Sequence, residues 1–321
     1  MLKPSTLRRR AWSLALAVAC AGSLAASGCG APAGGQLARS RGEVIVVGSF
    51  DFPESVLLAH IYAGALAARG LPVRVLSDLG SRELVDPALM NGLIQLVPEY
   101  AGSALQFISL GRQTATASVA HTNRALTTLA AGFGLVATRP AAAQDSNAIV
   151  VTAATAARHG LRSIADLAEV APRLVFGGPP ECPGRAYCLP GLRQTYGLHF
   201  KSFVPLDAAG PLTLQALEAG DIDVALLFTT NPVISSQHLV VLRDDRGLQP
   251  AENITPLVRR SVVTRYGPSL VAVLNAVSAR LGTKTLRELD AQVVMHGQSP
   301  HRVAQRWLAG QALPAGEGAN A

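Results

Sequence analysis

Two periods of apolar and polar positions alternate along the chain. Val44-Ile45-Val46-Val47-Gly48 is a short, continuous apolar run, the pattern of a strand buried on both faces. From Ser55 to Arg69 the spacing changes to helical, with Leu57, Leu58, Ile61, Tyr62, Ala65 and Leu66 on recurring turns and Gly70 at the C-cap position. Leu71 to Leu76 predicts a second strand. This β-α-β order predicts an α/β fold with a mainly parallel sheet covered by helices.

The pattern then repeats. Ala88 to Tyr100 and Ala216 to Phe228 both read as a helix end, a Gly stop, a short strand and an aromatic at the strand exit. Val44 to Gly48 similarly echoes Leu174 to Gly178. Two such units predict two α/β lobes facing each other, with their strand-exit loops at the cleft between them. Tyr100 and Phe228 are then either core aromatics or opposite cleft walls, and the repeat favours the walls.

The remaining pattern sets the boundaries. Ala137 to Asp145 is an Ala/Pro-rich crossover, and Pro250 to Pro256 is a return segment. The first lobe is expected over 43–142 and the second over 143–250. The return to the first lobe spans 251–312, with helices at Ser269 to Leu281, Thr285 to Met295 and Pro300 to Leu308. The end of the chain, 313–321, is Gly/Ala-rich and reads as a loose tail. A length of 321 residues also suits two lobes better than one.

The first 28 residues have a different pattern. Lys3 and Arg8-Arg9-Arg10 precede an apolar stretch from Trp12 to Ala26, which reads as a secretory signal peptide. It closes on Ala26-Ser27-Gly28-Cys29, which resembles a bacterial lipobox, so Cys29 is the expected lipidation site. Residues 29–42 would form a flexible tether. The formal charge of +7 includes the four basic leader residues, and removing them leaves +3. A charge of +3 without a basic run argues against nucleic-acid binding.

Cys182 and Cys188 lie six apart around a Pro-Gly turn. In an oxidising compartment that spacing suits a disulfide that shapes its loop, and metal binding or thiol chemistry is the alternative reading. Motifs for catalysis and cofactor binding are missing: there is no Gly-x-Ser-x-Gly, P-loop, Gly-x-Gly-x-x-Gly or His-Glu-x-x-His. Asp221 and Asp223 alternate on a predicted strand, but the preceding Gly220 turn suggests an exposed strand entry rather than a catalytic dyad. No enzyme chemistry, metal or cofactor is therefore expected.

Several short motifs occur in a recognisable order. Gly48-Ser49-Phe50-Asp51-Phe52-Pro53-Glu54, Val97-Pro98-Glu99-Tyr100-Ala101-Gly102, Cys188-Leu189-Pro190-Gly191-Leu192 and Tyr196-Gly197-Leu198 together resemble the glycine betaine/choline/carnitine family of substrate-binding proteins of ABC importers. Leu239 to Asp245 and Asn253 to Pro256 continue the resemblance, which runs from Val44 to Leu308. It implies a class II periplasmic-binding-protein fold, hinge closure on a small-molecule ligand and a membrane permease as partner, while lipid on Cys29 would by itself hold the protein, expected as a monomer, at the outer face of the cytoplasmic membrane.

The resemblance also implies a site. A quaternary ammonium has no N–H to donate, so aromatic faces must hold it, at roughly 2 kcal/mol for a desolvated contact. A ligand carboxylate, where present, suits a guanidinium fork. Tyr100 matches the first ring of the family's aromatic box, Phe228 approximates another, and Arg185 matches its basic residue. Elsewhere the chain departs. Asp145-Ser146-Asn147 stands where a Tyr is common, Glu252 replaces a late Tyr before Asn253, and Phe50-Asp51 replaces a polar residue after Gly-Ser. The expected site is a half-built box in which Asp51, Asn147 and Glu252 stand beside Tyr100, Phe228 and Arg185. Either Asp51 or Glu252 supplies negative charge in place of the lost rings, or the reduced cage takes a different small polar or aromatic ligand.

Overall fold

A computed structural model describes residues 44–235, 238–311 and 313 of the chain. The expected signal peptide, Cys29 and the tether lie outside the described residues, as does all of the tail except Leu313.

The chain opens with β1 (Ile45–Gly48), α1 (Pro53–Ala67), β2 (Val73–Leu76), α2 (Arg82–Met90), β3 (Leu96–Tyr100), α3 (Ala101–Ile108), α4 (Val119–Gly132) and β4 (Leu135–Ala137). It crosses to β5 (Asn147–Thr152), α5 (Ala153–His159), β6 (Val175–Gly178), α6 (Leu189–Tyr196), β7 (Ser202–Pro205), α7 (Pro211–Ala219), β8 (Val224–Phe228) and β9 (Leu239–Val241). It then returns as β10 (Ile254–Arg259), followed by α8 (Arg260–Tyr266), α9 (Pro268–Ser278), α10 (Thr283–Val294) and α11 (Pro300–Ala309).

Two five-stranded sheets result, ordered β2-β1-β3-β10-β4 and β7-β6-β8-β5-β9. The orders match position for position, as a duplicated lobe requires. Both sheets are mixed rather than mainly parallel: β10 runs antiparallel to β3 and β4, and β5 runs antiparallel to β8 and β9. The reason is where each strand enters. Ile254 pairs with Tyr100 and Asn147 pairs with Phe228, so both strands begin at the cleft, having just arrived from the other lobe. They can only run away from the edge at which their neighbours end.

The register also corrects the repeat by one residue. Val47 pairs with Leu96 and Phe176 with Val224, which makes Gly48 the counterpart of Gly177, not Gly178. The physical reason is shared. A Cβ on Gly48 would collide with the Ile94 side chain, and one on Gly177 with that of Ile222. Both isoleucines follow a glycine of positive φ, Gly92 or Gly220, that ends the preceding helix.

Helix α1 is the central element of the first lobe. Leu57, Leu58, Ile61, Tyr62, Ala65 and Leu66 are fully buried, and α9, α10 and α11 pack around it. A helix apolar on every side belongs inside a core, where each large side chain contributes about 1.5–3 kcal/mol of burial. The second lobe covers its sheet with two smaller apolar clusters, one around Phe176 and Leu192 and one around Leu217 and Leu227.

The lobes are joined by two antiparallel connecting segments. Ala141 N–H donates to Ile254 O, Ile254 N–H to Ala143 O and Asp145 N–H to Glu252 O, at 2.8, 3.0 and 3.1 Å. Asp221 and Asp223 precede β8 instead of lying on it, and Asp223 Oδ2 accepts the Val175 N–H at 2.8 Å. That pins the start of β6 and gives Asp223 a structural role. Among the described residues, no helix is long and apolar enough to cross a membrane.

Candidate functional site

A cavity of ≈ 290 Å³ lies between the lobes, at the C-terminal ends of β1, β3, β6 and β8. Open α/β sheets bind ligands at such edges because the strand exits leave side chains and backbone free to face a crevice. Tyr100, Arg185, Phe228, Asp51, Asn147 and Glu252 all line it.

The first lobe supplies most of the aromatic surface. β1 stops at Gly48, and Pro53 opens α1 with its ring at the first helical position. The four residues between them are pinned. Ser55 Oγ accepts the Phe50 N–H at 2.9 Å, while Ser49 Oγ accepts the Asp78 N–H at 3.0 Å and donates to Phe50 O at 2.9 Å. Phe50 and Phe52 thereby stack with centroids 5.9 Å apart and planes 5° from parallel. Tyr100, the last residue of β3, lies 6.3 Å from Phe50 and 5.9 Å from Phe52. From the second lobe Phe228 reaches across to Phe52, at 5.1 Å.

The site therefore holds four clustered rings, where the sequence predicted a half-built box. Phe50 and Phe52 were the residues missed. Their signal was available: two aromatics one residue apart, directly after a strand, in a chain only 5% aromatic.

Behind this wall lie carboxyl groups. Arg82 forms a bidentate pair with buried Glu99, at 2.9 Å for both bonds, and holds its guanidinium 5.0 Å from the Phe50 centroid. Tyr100 Oη donates to Glu54 Oε1 at 2.7 Å. Glu54 in turn neighbours Asp290, and both are buried with Glu54 Oε2 and Asp290 Oδ1 lacking any other partner. Burial raises both pKa values, that of Asp290 to about 8, and mutual repulsion raises that of Glu54 further. Both carboxyls are thereby held toward their neutral forms, in which they can hydrogen-bond to each other. Asp145 is raised as well, by burial and by Glu54, and Thr230 N–H donates to it at 3.0 Å.

Glu252 serves α3. Its carboxylate accepts the N–H groups of Gly102 and Ser103 at 3.0 and 3.1 Å and the Ser103 hydroxyl at 2.6 Å, so it satisfies the orphan donors of a helix N-terminus. Burial still lifts its pKa to about 7. Asp51 is exposed at the rim of the cavity.

The second lobe presents a loop. Cys182 and Cys188 are joined in a disulfide with Cα atoms 5.3 Å apart, and Arg185 and Tyr187 lie between them. The Tyr187 carbonyl accepts Nδ2 of Asn147 at 3.0 Å and Nε2 of Gln249 at 3.1 Å. Asn147 thus holds the loop in place. Tyr187 Oη accepts the Ala115 N–H of the first lobe at 3.3 Å. Arg185 does not point a free guanidinium into the cavity. It pairs across the cleft with Glu83 of α2, at 2.8 Å from Nη2 and 3.4 Å from Nε.

Comparison with known proteins agrees with this geometry. The family described as "Substrate binding domain of ABC-type glycine betaine transport system" matches residues 43–310. A Pseudomonas aeruginosa protein named glycine-betaine-binding protein is 29% identical over 304 residues, covering 91% of this chain and 92% of that protein. The Escherichia coli glycine betaine-binding protein YehZ is 28% identical over 276 residues, 82% of this chain and 89% of that one. A crystal structure of a glycine betaine/carnitine/choline ABC transporter protein superposes with a TM-score of 0.65 at 22% identity, covering 83% of this chain and 97% of that chain, which supports the two-lobed fold. A substrate-binding domain of a transport system is not an enzyme class. With its duplicated lobes, its interlobe cavity and a family match over nearly all the described residues, the chain belongs to the substrate-binding domains of ABC-type glycine betaine transport systems.

Proposed function

We propose that this protein is an extracytoplasmic, lipid-anchored solute-binding protein that captures a quaternary amine in the interlobe cavity and delivers it to an ABC permease. One observation carries the reading: the rings of Phe50, Phe52, Tyr100 and Phe228 meet from both lobes at the mouths of β1, β3 and β8. A quaternary ammonium cannot be hydrogen-bonded, and adjacent aromatic faces in a partly desolvated crevice are the surface that attracts it. The acidic side chains of Asp51 and Glu181, which also line the cavity, add a negative field of the same sense. A cavity of ≈ 290 Å³ admits an osmoprotectant-sized molecule and no polymer.

Isothermal titration of the full chain with glycine betaine, choline, carnitine and proline betaine tests the reading. Micromolar binding to at least one is expected, and heat from none of the four would overturn it. The anchor has its own test. Replacing Cys29 by Ser should move the protein from the membrane to the soluble fraction, and retention at the membrane would remove the lipid attachment.

A further inference from the structure

Both guanidinium groups at the cavity are already committed to carboxylates of this chain. Arg82 is held by Glu99 in a buried bidentate pair, and Arg185 is held by Glu83 across the cleft. The other charged side chains lining the cavity, Asp51, Asp145, Glu181 and Glu252, are all acidic, and no lysine or histidine is among the lining residues. A ligand that brings its own carboxylate therefore meets no uncommitted cation.

To reach Arg185 such a ligand must displace Glu83. The displaced carboxylate would lose its charge-assisted hydrogen bonds to Arg185, a cost that the 43% and 32% exposure of the Glu83 and Arg185 side chains reduces but does not remove. A ligand with a single positive charge leaves the pair intact. It also benefits from it, since Glu83 lies on the first lobe and Arg185 on the second, so their pairing favours the closed cleft. Burial alone would raise the Glu83 carboxyl, but hydrogen bonds from Arg185 and Ser81 outweigh it and hold it down at about 2, so the pair is fully ionised at neutral pH.

We infer that Glu83 sets the charge class of the ligand: by occupying Arg185 it selects a quaternary ammonium cation with a neutral or hydroxyl tail over a zwitterionic betaine. This inference rests on the quaternary-amine reading above and narrows it. Glu83 acts through Arg185 and is a positioning residue for specificity.

The test is titration calorimetry of the full chain with two probes, choline and glycine betaine, in wild type and in Glu83→Gln. Wild type should bind choline at least about tenfold more tightly than glycine betaine. Glu83→Gln frees the guanidinium, so the choline-to-betaine ratio should narrow about tenfold, with betaine affinity unchanged or improved. A structural role for Glu83 would weaken both probes equally and leave the ratio in place, which would overturn the inference. Wild type favouring glycine betaine would overturn it too, while the quaternary-amine reading stood. Failure of both probes to bind wild type would remove that reading and this inference together. If Glu83→Gln lost its fold by circular dichroism, the wild-type ratio would decide alone.

Discussion

The two walls of the cleft occupy equivalent places in equivalent sheets, yet they are built in different ways. On the first lobe a four-residue, pinned connection joins β1 to α1 and carries two of the four clustered rings, and a third ring ends β3. On the second lobe the matching strand β6 leads into a disulfide-closed loop, and only Phe228 joins the ring cluster. The first wall is rigid because buried hydrogen bonds fix its backbone and α1 fixes its base. The second is fixed from outside, by Cys182–Cys188 and by Asn147 and Gln249 on the Tyr187 carbonyl. Duplication thus supplied two sets of strand exits, and chemistry diverged on them. One set carries the apolar face for a cation, and the other carries a charged group on a disulfide-closed lip.

The largest expected effect is on the first wall. Phe52 touches Phe50, Tyr100 and Phe228, so Phe52→Ala should weaken binding of the preferred ligand by about 30- to 100-fold, and Tyr100→Ala by about tenfold or more, measured by calorimetry. Phe228→Ala should cost less than either. The reverse order would show that the second lobe dominates recognition.

The next effect separates rigidity from stability. The Cys182→Ser/Cys188→Ser double variant closes no covalent loop, so Arg185 and Tyr187 lose their fixed position. Affinity should fall about tenfold, while Tm drops by only a few degrees, because a loop of six residues removes little chain entropy. A Tm loss above about 15 °C with unchanged affinity would make the disulfide a fold staple and nothing more.

The smallest effect concerns the acids beneath the first wall. Asp290, raised from 3.8 to about 8, is kept neutral in the folded protein and ionises readily when unfolded. Its contribution to stability is fully present below pH 3.8 and is lost as pH rises toward 8. Glu54 shifts in the same direction. Tm should therefore decline as pH rises from about 5 to 8.5, and Asp290→Asn should flatten that slope with a change of roughly 5 °C at the alkaline end. A slope of opposite sign would mean that a cation, not protonation, balances Glu54 and Asp290.

The lobes, the strand exits at Tyr100 and Phe228, and the positions of Arg185, Asp51, Asn147 and Glu252 around the cavity were legible in the chain. The lobes and the two strand exits follow from local patterns that recur in order, an apolar run, a helical spacing and a glycine stop, whereas the other four positions came from the resemblance to the family. Roles were less legible than positions. Glu252 was read as a charge for the ligand, yet it satisfies the N-terminus of α3, because the return segment brings it beside Gly102 from 150 residues away. Arg185 was read as a free guanidinium, yet Glu83 reaches it from 102 residues away.

What the sequence determined by itself was therefore the class of fold, the duplication and the places where chemistry could stand. Periodicity and turn residues act over a few positions, and those features need no more. Tertiary structure alone decided the one-residue register of the repeat, the mixed direction of the sheets, the four-ring cluster and the pairing of both guanidinium groups at the cleft. Those depend on which side chains two separately folded lobes bring within a few ångströms of each other. No local pattern encodes that distance.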